Sequence, residues 1–98
     1  MAGKQIIWSE SAQQELRQIL EYYNQRNGNS LYSLKLLLEI QDVLNTLSLQ
    51  ENIGRLTDNQ KTRVIVMKVY LIFYEIKSGR IEILSFWDNR QDPKKRKF

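Results

Sequence analysis

Hydrophobic positions in the first half of the chain follow the period of an α-helix. A short apolar run from Lys4 to Trp8 predicts a first strand, and Ser9 after it offers a side-chain oxygen that can cap a helix. The apolar residues of this helix recur at helical spacing and share one face, at Ala12, Leu16, Ile19, Leu20 and Tyr23. The pattern therefore predicts an amphipathic helix that ends near Gly28, which suits a left-handed helix exit.

A second helix is predicted from about Leu31 to Leu49, with Asn29 or Ser30 as its cap. Its apolar positions form a broad stripe that includes Leu31, Leu34, Leu37, Leu38, Ile40, Val43, Leu44 and Leu47. A stripe of this width favours contact on two sides, with the first helix and with a sheet. The short connection predicts that the two helices are antiparallel neighbours.

The apolar pattern changes to that of β-strands after a polar loop, QENIGRLTDNQ. The segment Thr62–Ile76 is rich in β-branched and aromatic residues but is too long for one strand, so we predict a turn between Met67 and Tyr70. Gly79 predicts a hairpin turn into a last strand, IEILSF.

The predicted element order is β-α-α-β-β-β. We expect an α+β fold, with an antiparallel twisted sheet and the helical hairpin packed on one face, and with the first strand added at an edge or at the centre. One domain is expected over residues 1–93, followed by a basic tail over residues 94–98.

Composition excludes several kinds of chemistry. The 98 residues include no cysteine and no histidine, so thiolate ligands, imidazole bases and the Ser-His and Cys-His pairs are all missing. The N-terminus does not resemble a signal peptide, and no segment approaches the ~20 apolar residues of a membrane span. We expect a cytoplasmic protein with no cofactor, no metal and no membrane contact.

Positive charge is concentrated in the C-terminal part of the chain. Residues 1–60 carry five basic and seven acidic side chains, whereas residues 61–98 carry ten basic and four acidic ones. A basic surface concentrates polyanions or acidic partner segments near it. A solvated tail that only aids solubility is the alternative.

The residues that could carry chemistry are basic and aromatic. They are Lys61, Arg63, Lys68, Tyr70, Tyr74, Trp87, Arg90 and the cluster 94–97. Cations can stabilise charge on a reacting phosphate, and a lysine or tyrosine can move protons, so a ribonuclease without histidine is chemically possible. A binder of nucleic acid or of a DNA-handling enzyme would use the same residue types. Core or sheet-face roles are the alternative for the aromatic residues, and Asp88 and Asp92 are interpreted as salt-bridging or capping groups.

Four segments, in this order, resemble the RelE/ParE superfamily of type II toxin–antitoxin toxins. They are IIWSESAQQELRQILEYY, IGRLTD, KVYLIFYEI and IEILSFWDNRQDP, and the resemblance covers roughly residues 5–93. It implies a small basic toxin of the kind linked to plasmid stabilisation and growth inhibition. It also implies a cognate antitoxin whose C-terminal segment wraps the toxin as a helix and a strand, in a hetero-oligomer.

Activities divide within this superfamily. RelE-like toxins cut mRNA in the ribosomal A site, whereas ParE-like toxins poison DNA gyrase and are not nucleases. Val66 stands about where RelE-like nucleases place an arginine, and no tyrosine or histidine follows Arg90. Lys68 and Val69 replace the Gly-Arg pair that is usual in the ParE pattern. The resemblance is closer to ParE. The alternatives are a toxin that cleaves mRNA on the ribosome and an inactive relative that binds only an antitoxin.

The resemblance and the charge pattern together predict one cationic edge of the sheet. The candidates for a nuclease are Lys61, Arg63, Lys68 and Arg90. The candidates for binding a target or an antitoxin are Arg63, Lys68, Tyr74, Trp87 and Arg90. The basic tail would steer an acidic target or antitoxin segment toward this edge.

Overall fold

A five-stranded sheet carries a helical hairpin on one face. The computed structural model describes residues 3–98. Its elements are β1 (Gln5–Trp8), α1 (Glu10–Asn27), α2 (Leu31–Leu49), β2 (Arg55–Leu56), β3 (Thr62–Met67), β4 (Tyr70–Lys77), β5 (Arg80–Asp88) and a 3-10 turn (Pro93–Lys95). The strand order across the sheet is β1-β5-β4-β3-β2. The α+β class and the helical hairpin are therefore confirmed.

Two details of the sheet differ from the prediction. β1 pairs with β5 in parallel, so the sheet is mixed and not wholly antiparallel. A two-residue strand, β2, lies within the segment predicted as a loop and pairs with β3. Hydrophobic periodicity does not encode the direction of a partner strand, and two residues are too few to show a period.

The predicted element ends are formed by the residues that the sequence indicated. The Ser9 side chain accepts a hydrogen bond from the Ala12 amide, at 3.0 Å, at the start of α1. Gly28 has a φ of 71° at the end of α1, and Asn29 accepts from the Leu31 amide at the start of α2. The turn between β3 and β4 falls at Lys68 and Val69, as predicted.

The main core fills the space between the hairpin and the sheet. It contains Leu36, Ile40, Leu44 and Leu47 of α2, with Tyr70, Ile72, Tyr74, Ile81, Ile83 and Phe86 of the sheet. The apolar stripe of α2 is wider than this packed face. Its remaining leucines, including Leu31, Leu34 and Leu38, are exposed.

The opposite face of the sheet carries a smaller apolar cluster, formed by Val64, Leu71, Phe73 and Trp87. The C-terminal residues fold back onto it. The ring of Phe98 packs on that of Phe73 with centroids 5.3 Å apart, and the Arg96 guanidinium lies 5.7 Å from the Phe73 ring centre. No helix within residues 3–98 is long and apolar enough to cross a membrane.

Candidate functional site

The candidate cations lie at two opposite ends of the sheet. The β3–β4 turn, which contains Lys68, lies beside the segment that contains Arg90, since the Asn89 amide donates to the Val69 carbonyl at 2.7 Å. Lys61 and Arg63 lie at the start of β3, and five residues of strand separate Arg63 from Lys68 by roughly 16 Å. The expectation of one shared cationic edge is therefore wrong for Lys61 and Arg63.

Arg63 and Tyr74 fasten the loop that follows α2. The Arg63 guanidinium donates to the Gly54 carbonyl at 2.7 Å. The hydroxyl of Tyr74, a fully buried residue, donates to the Glu51 carbonyl at 2.8 Å and accepts from the Gly54 amide at 2.9 Å. Arg63 and Tyr74 therefore hold the backbone of this loop in place, at the end of the sheet away from Arg90.

Lys68 connects its turn to the helical hairpin. Its backbone is left-handed, with a φ of 57°, and its ammonium forms an ion pair with the Glu39 carboxylate of α2. More than half of the Lys68 side chain remains exposed. The charge is therefore accessible, but it is partly neutralised by its partner.

Trp87 is 8% exposed and belongs to the cluster on the tail-covered face. Within residues 3–98, its indole N–H is the buried side-chain polar group that has no hydrogen-bond partner. An unsatisfied buried donor costs about 1–3 kcal/mol. Trp87 is thus mainly a packing residue with one unused donor.

Arg90 is held by two other side chains. Its Nε and Nη2 atoms donate to the two oxygens of the Asp88 carboxylate at 3.0 and 2.7 Å, and Nη2 also donates to the Tyr23 hydroxyl at 2.6 Å. The Arg90 amide donates to Asp88 as well, at 2.9 Å. Such a two-pronged pair fixes the plane of the guanidinium. The interpretation of Asp88 as a salt-bridging group is confirmed.

These contacts change the acidity of both partners. The hydrogen bond from Arg90 holds the pKa of the Asp88 carboxyl below its usual range, and the bond to Asp88 raises the pKa of Arg90. Arg90 therefore stays charged, while 54% of its side chain is exposed. It presents a fixed cation to the solvent.

A chain of tyrosines supports this arginine from the core. The Tyr23 ring packs on that of Tyr32 at 4.3 Å, and the Tyr32 and Tyr70 hydroxyls are 2.7 Å apart. Tyr70 stacks on Phe86, with ring centres 5.1 Å apart. Burial, together with the bond to Tyr32, raises the pKa of Tyr70. Helical periodicity indicated Tyr23 only as a packing residue, and its bond to Arg90 has no signal in the sequence.

A cleft of about 500 Å³ opens beside Arg90, between α1 and the end of β5. We call it the Arg90 cleft. It is lined by Glu15, Gln18, Ile19, Tyr22, Tyr23, Arg26, Phe86, Trp87, Asp88, Arg90 and Gln91. Both cleft carboxylates are engaged, since Asp88 binds Arg90 and Glu15 accepts from the Ser85 hydroxyl at 2.9 Å. The lining combines aromatic rings with hydrogen-bond donors, which suits binding better than proton transfer.

Comparisons with known proteins agree with this architecture. A solved structure, described as the chromosomal ParDE TA system from P. aeruginosa, has the same fold with a TM-score of 0.72. It shares 20% sequence identity, and the alignment covers 85% of this chain and 92% of that chain. No curated protein matches the sequence. The family described as the ParE toxin of type II toxin–antitoxin system, parDE, matches residues 6–93. The chain therefore belongs to the ParE toxin family and is a type II toxin of a toxin–antitoxin module.

Proposed function

We propose that this toxin stops growth by binding and poisoning DNA gyrase, and that a cognate antitoxin neutralises it in a hetero-oligomer. The observation that carries the proposal is the family match over residues 6–93. The geometry supports action by contact, because Arg90 is fixed by Asp88 and Tyr23 and stays half exposed. A preorganised cation loses little side-chain entropy when a partner binds.

A surface for the antitoxin is available on α2. Leu31, Leu34 and Leu38 are 73%, 54% and 70% exposed, and their spacing places them on one side of the helix. We call these residues the leucine ridge. A ridge of this kind fits the apolar face of a partner helix. The protein alone is then expected to aggregate more readily than its complex.

Purified gyrase tests the proposed target. The toxin should inhibit supercoiling at micromolar concentration and cause cleaved DNA to accumulate. Arg90→Ala should weaken this effect about ten-fold or more, because a fixed charged contact is lost. Arg80→Ala is the matched control, since Arg80 is also half exposed and paired with an acid, at the opposite end of β5. Absence of inhibition by the folded toxin would contradict the gyrase proposal.

Ribosome-dependent mRNA cleavage is the second candidate. The observation that favours it is the hydrogen bond between Asn89 and Val69, which places the Lys68 turn beside the Arg90 segment, so that two cations lie at one end of the sheet. Toeprinting on translating ribosomes tests it. A-site cleavage that is lost in Arg90→Ala would support the nuclease, whereas intact mRNA at saturating toxin would dismiss it.

The leucine ridge is tested in co-expression with the antitoxin. A double change, Leu34→Lys with Leu38→Lys, should abolish co-purification, whereas Thr46→Lys, at an exposed position on another side of the same helix, should leave it intact. Normal growth when the soluble toxin is expressed alone would favour an inactive relative that only binds antitoxin.

A further inference from the structure

We propose that the Arg90 cleft binds an extended peptide segment in which an aromatic side chain stands two residues away from a carboxylate. The inference deepens the proposed function, because it rests on the toxin acting by contact with a protein. It concerns the chemistry of the contact and not the identity of the partner.

The apolar part of the cleft can receive an aromatic ring. Ile19 and Phe86 are buried and form part of its lining. Tyr22, by contrast, is 55% exposed and stands edge-on to Tyr23, with ring centres 5.0 Å apart. A ring placed beside Tyr22 would cover this exposed surface, and aromatic pairs at such distances are mutually favourable.

The polar part of the cleft has more donors than free acceptors. Within residues 3–98, Arg90 uses Nε and Nη2 on Asp88 and Tyr23, which leaves its Nη1 group available. Arg26 contributes one bond, from Nη1 to the Tyr22 hydroxyl at 3.3 Å. Asp88 binds Arg90 through both of its oxygens, and one oxygen of Glu15 accepts from the Ser85 hydroxyl and the Phe86 amide. The missing component is therefore an acceptor, such as a carboxylate.

Charge favours a carboxylate over a phosphate. The two arginines of the lining are balanced by two carboxylates, so the cleft has no excess charge for a dianion. Arg26 also lies in the last turn of α1, where the helix dipole is negative. A ligand with a single negative charge, which the free N–H groups of both arginines can bind, suits a cleft without net charge better than a dianion does.

Size and geometry set the spacing within the ligand. A cleft of about 500 Å³ has room for two side chains. In an extended peptide, residues i and i+2 project from the same side. An aromatic residue and an acidic residue at these positions can enter the cleft together.

The probe is the peptide acetyl-Phe-Ala-Glu-amide, titrated into the full-length ¹⁵N-labelled toxin. Binding should shift the Nε–H signals of Arg26 and Arg90 at millimolar peptide. Acetyl-Phe-Ala-Gln-amide and acetyl-Ala-Ala-Glu-amide should each bind roughly ten-fold more weakly, since each lacks one contact. Adenosine monophosphate tests the nucleotide alternative.

Arg26→Gln should weaken peptide binding by a similar factor, while Arg17→Gln, a change on the same helix outside the cleft, should not. Unchanged backbone spectra will show that both variants are folded. Absence of shifts, equal binding of the glutamine peptide, or tighter binding of the nucleotide would each overturn the inference. Gyrase inhibition is measured separately, so a toxin that binds the peptide without affecting gyrase would contradict only the proposed target.

Discussion

Asp88 is the residue on which the geometry of Arg90 depends. It is 8% exposed and accepts three hydrogen bonds from Arg90. We expect Asp88→Asn to lower the free energy of unfolding by about 1–2 kcal/mol, because charge-assisted bonds are lost while Arg90 keeps access to water. Urea denaturation at neutral pH measures this loss. Asp92→Asn is the control, since Asp92 caps only the exposed 3-10 turn.

The same pair predicts how stability depends on acid. The pKa of Asp88 is lower in the folded protein than its ordinary value, so its contribution is present above about pH 4 and disappears as the pH falls through the lowered pKa. The stability of Asp88→Asn should therefore fall less steeply below pH 4. Parallel acid profiles for the two proteins would show that the pair contributes nothing.

Gly54 is tightly packed against a buried tyrosine. A Cβ atom at this position would lie 2.6 Å from the Tyr74 hydroxyl oxygen and 2.6 Å from its Cε1 atom. We expect Gly54→Ala to cost about 1–3 kcal/mol of unfolding free energy, because neither the ring nor the loop can move freely. In a double-mutant cycle with Tyr74→Phe, the two losses should be less than additive. Full additivity would mean that contact with the Tyr74 hydroxyl does not contribute to the cost.

The elements differ in how far the sequence predicts them. α1, α2 and the β3–β4 turn are predictable, because Ser9, Gly28 and the change of hydrophobic period act locally. The parallel pairing of β1 with β5 is not, since it joins segments from the two ends of the chain. The prediction that Arg63 lies beside Arg90 is wrong, because a charge pattern carries no information about which end of a strand a residue occupies.

The C-terminal segment illustrates the same limit. Its basic residues suggest a solvated tail, yet Phe98 packs on Phe73 and the Arg96 guanidinium donates to the Phe98 carbonyl at 2.8 Å. We expect Phe98→Ala to lower the unfolding free energy by about 1 kcal/mol and to increase binding of a hydrophobic dye to the uncovered sheet face. Lys94→Ala should do neither. Equal dye binding by wild type and Phe98→Ala would show that Phe98 does not cover this face in solution.

At the scale of the whole molecule, we expect the two ends of the chain to unfold together as a single cooperative unit. β1 has four residues and pairs Gln5 with Arg80, so it depends on β5 for its hydrogen bonds. The Ser9 amide also donates to the Ile83 carbonyl at 2.9 Å, while the Ser9 side chain caps α1. Release of β1 would therefore disturb the start of α1 as well as the edge of β5.

Two tryptophans make this cooperativity measurable, since Trp8 lies in β1 and Trp87 in β5. In Trp87→Phe the fluorescence reports β1, and in Trp8→Phe it reports β5. For each variant, the fluorescence and the far-UV circular dichroism should follow one common urea curve. We expect this because Ile6 and Trp8 of β1 pack against the main core and Ser9, the next residue, caps α1, so β1 should not detach alone. If the Trp8 signal changes at a lower urea concentration than the circular dichroism of the same variant, β1 detaches before the rest of the sheet, and the two ends of the chain do not unfold as one unit.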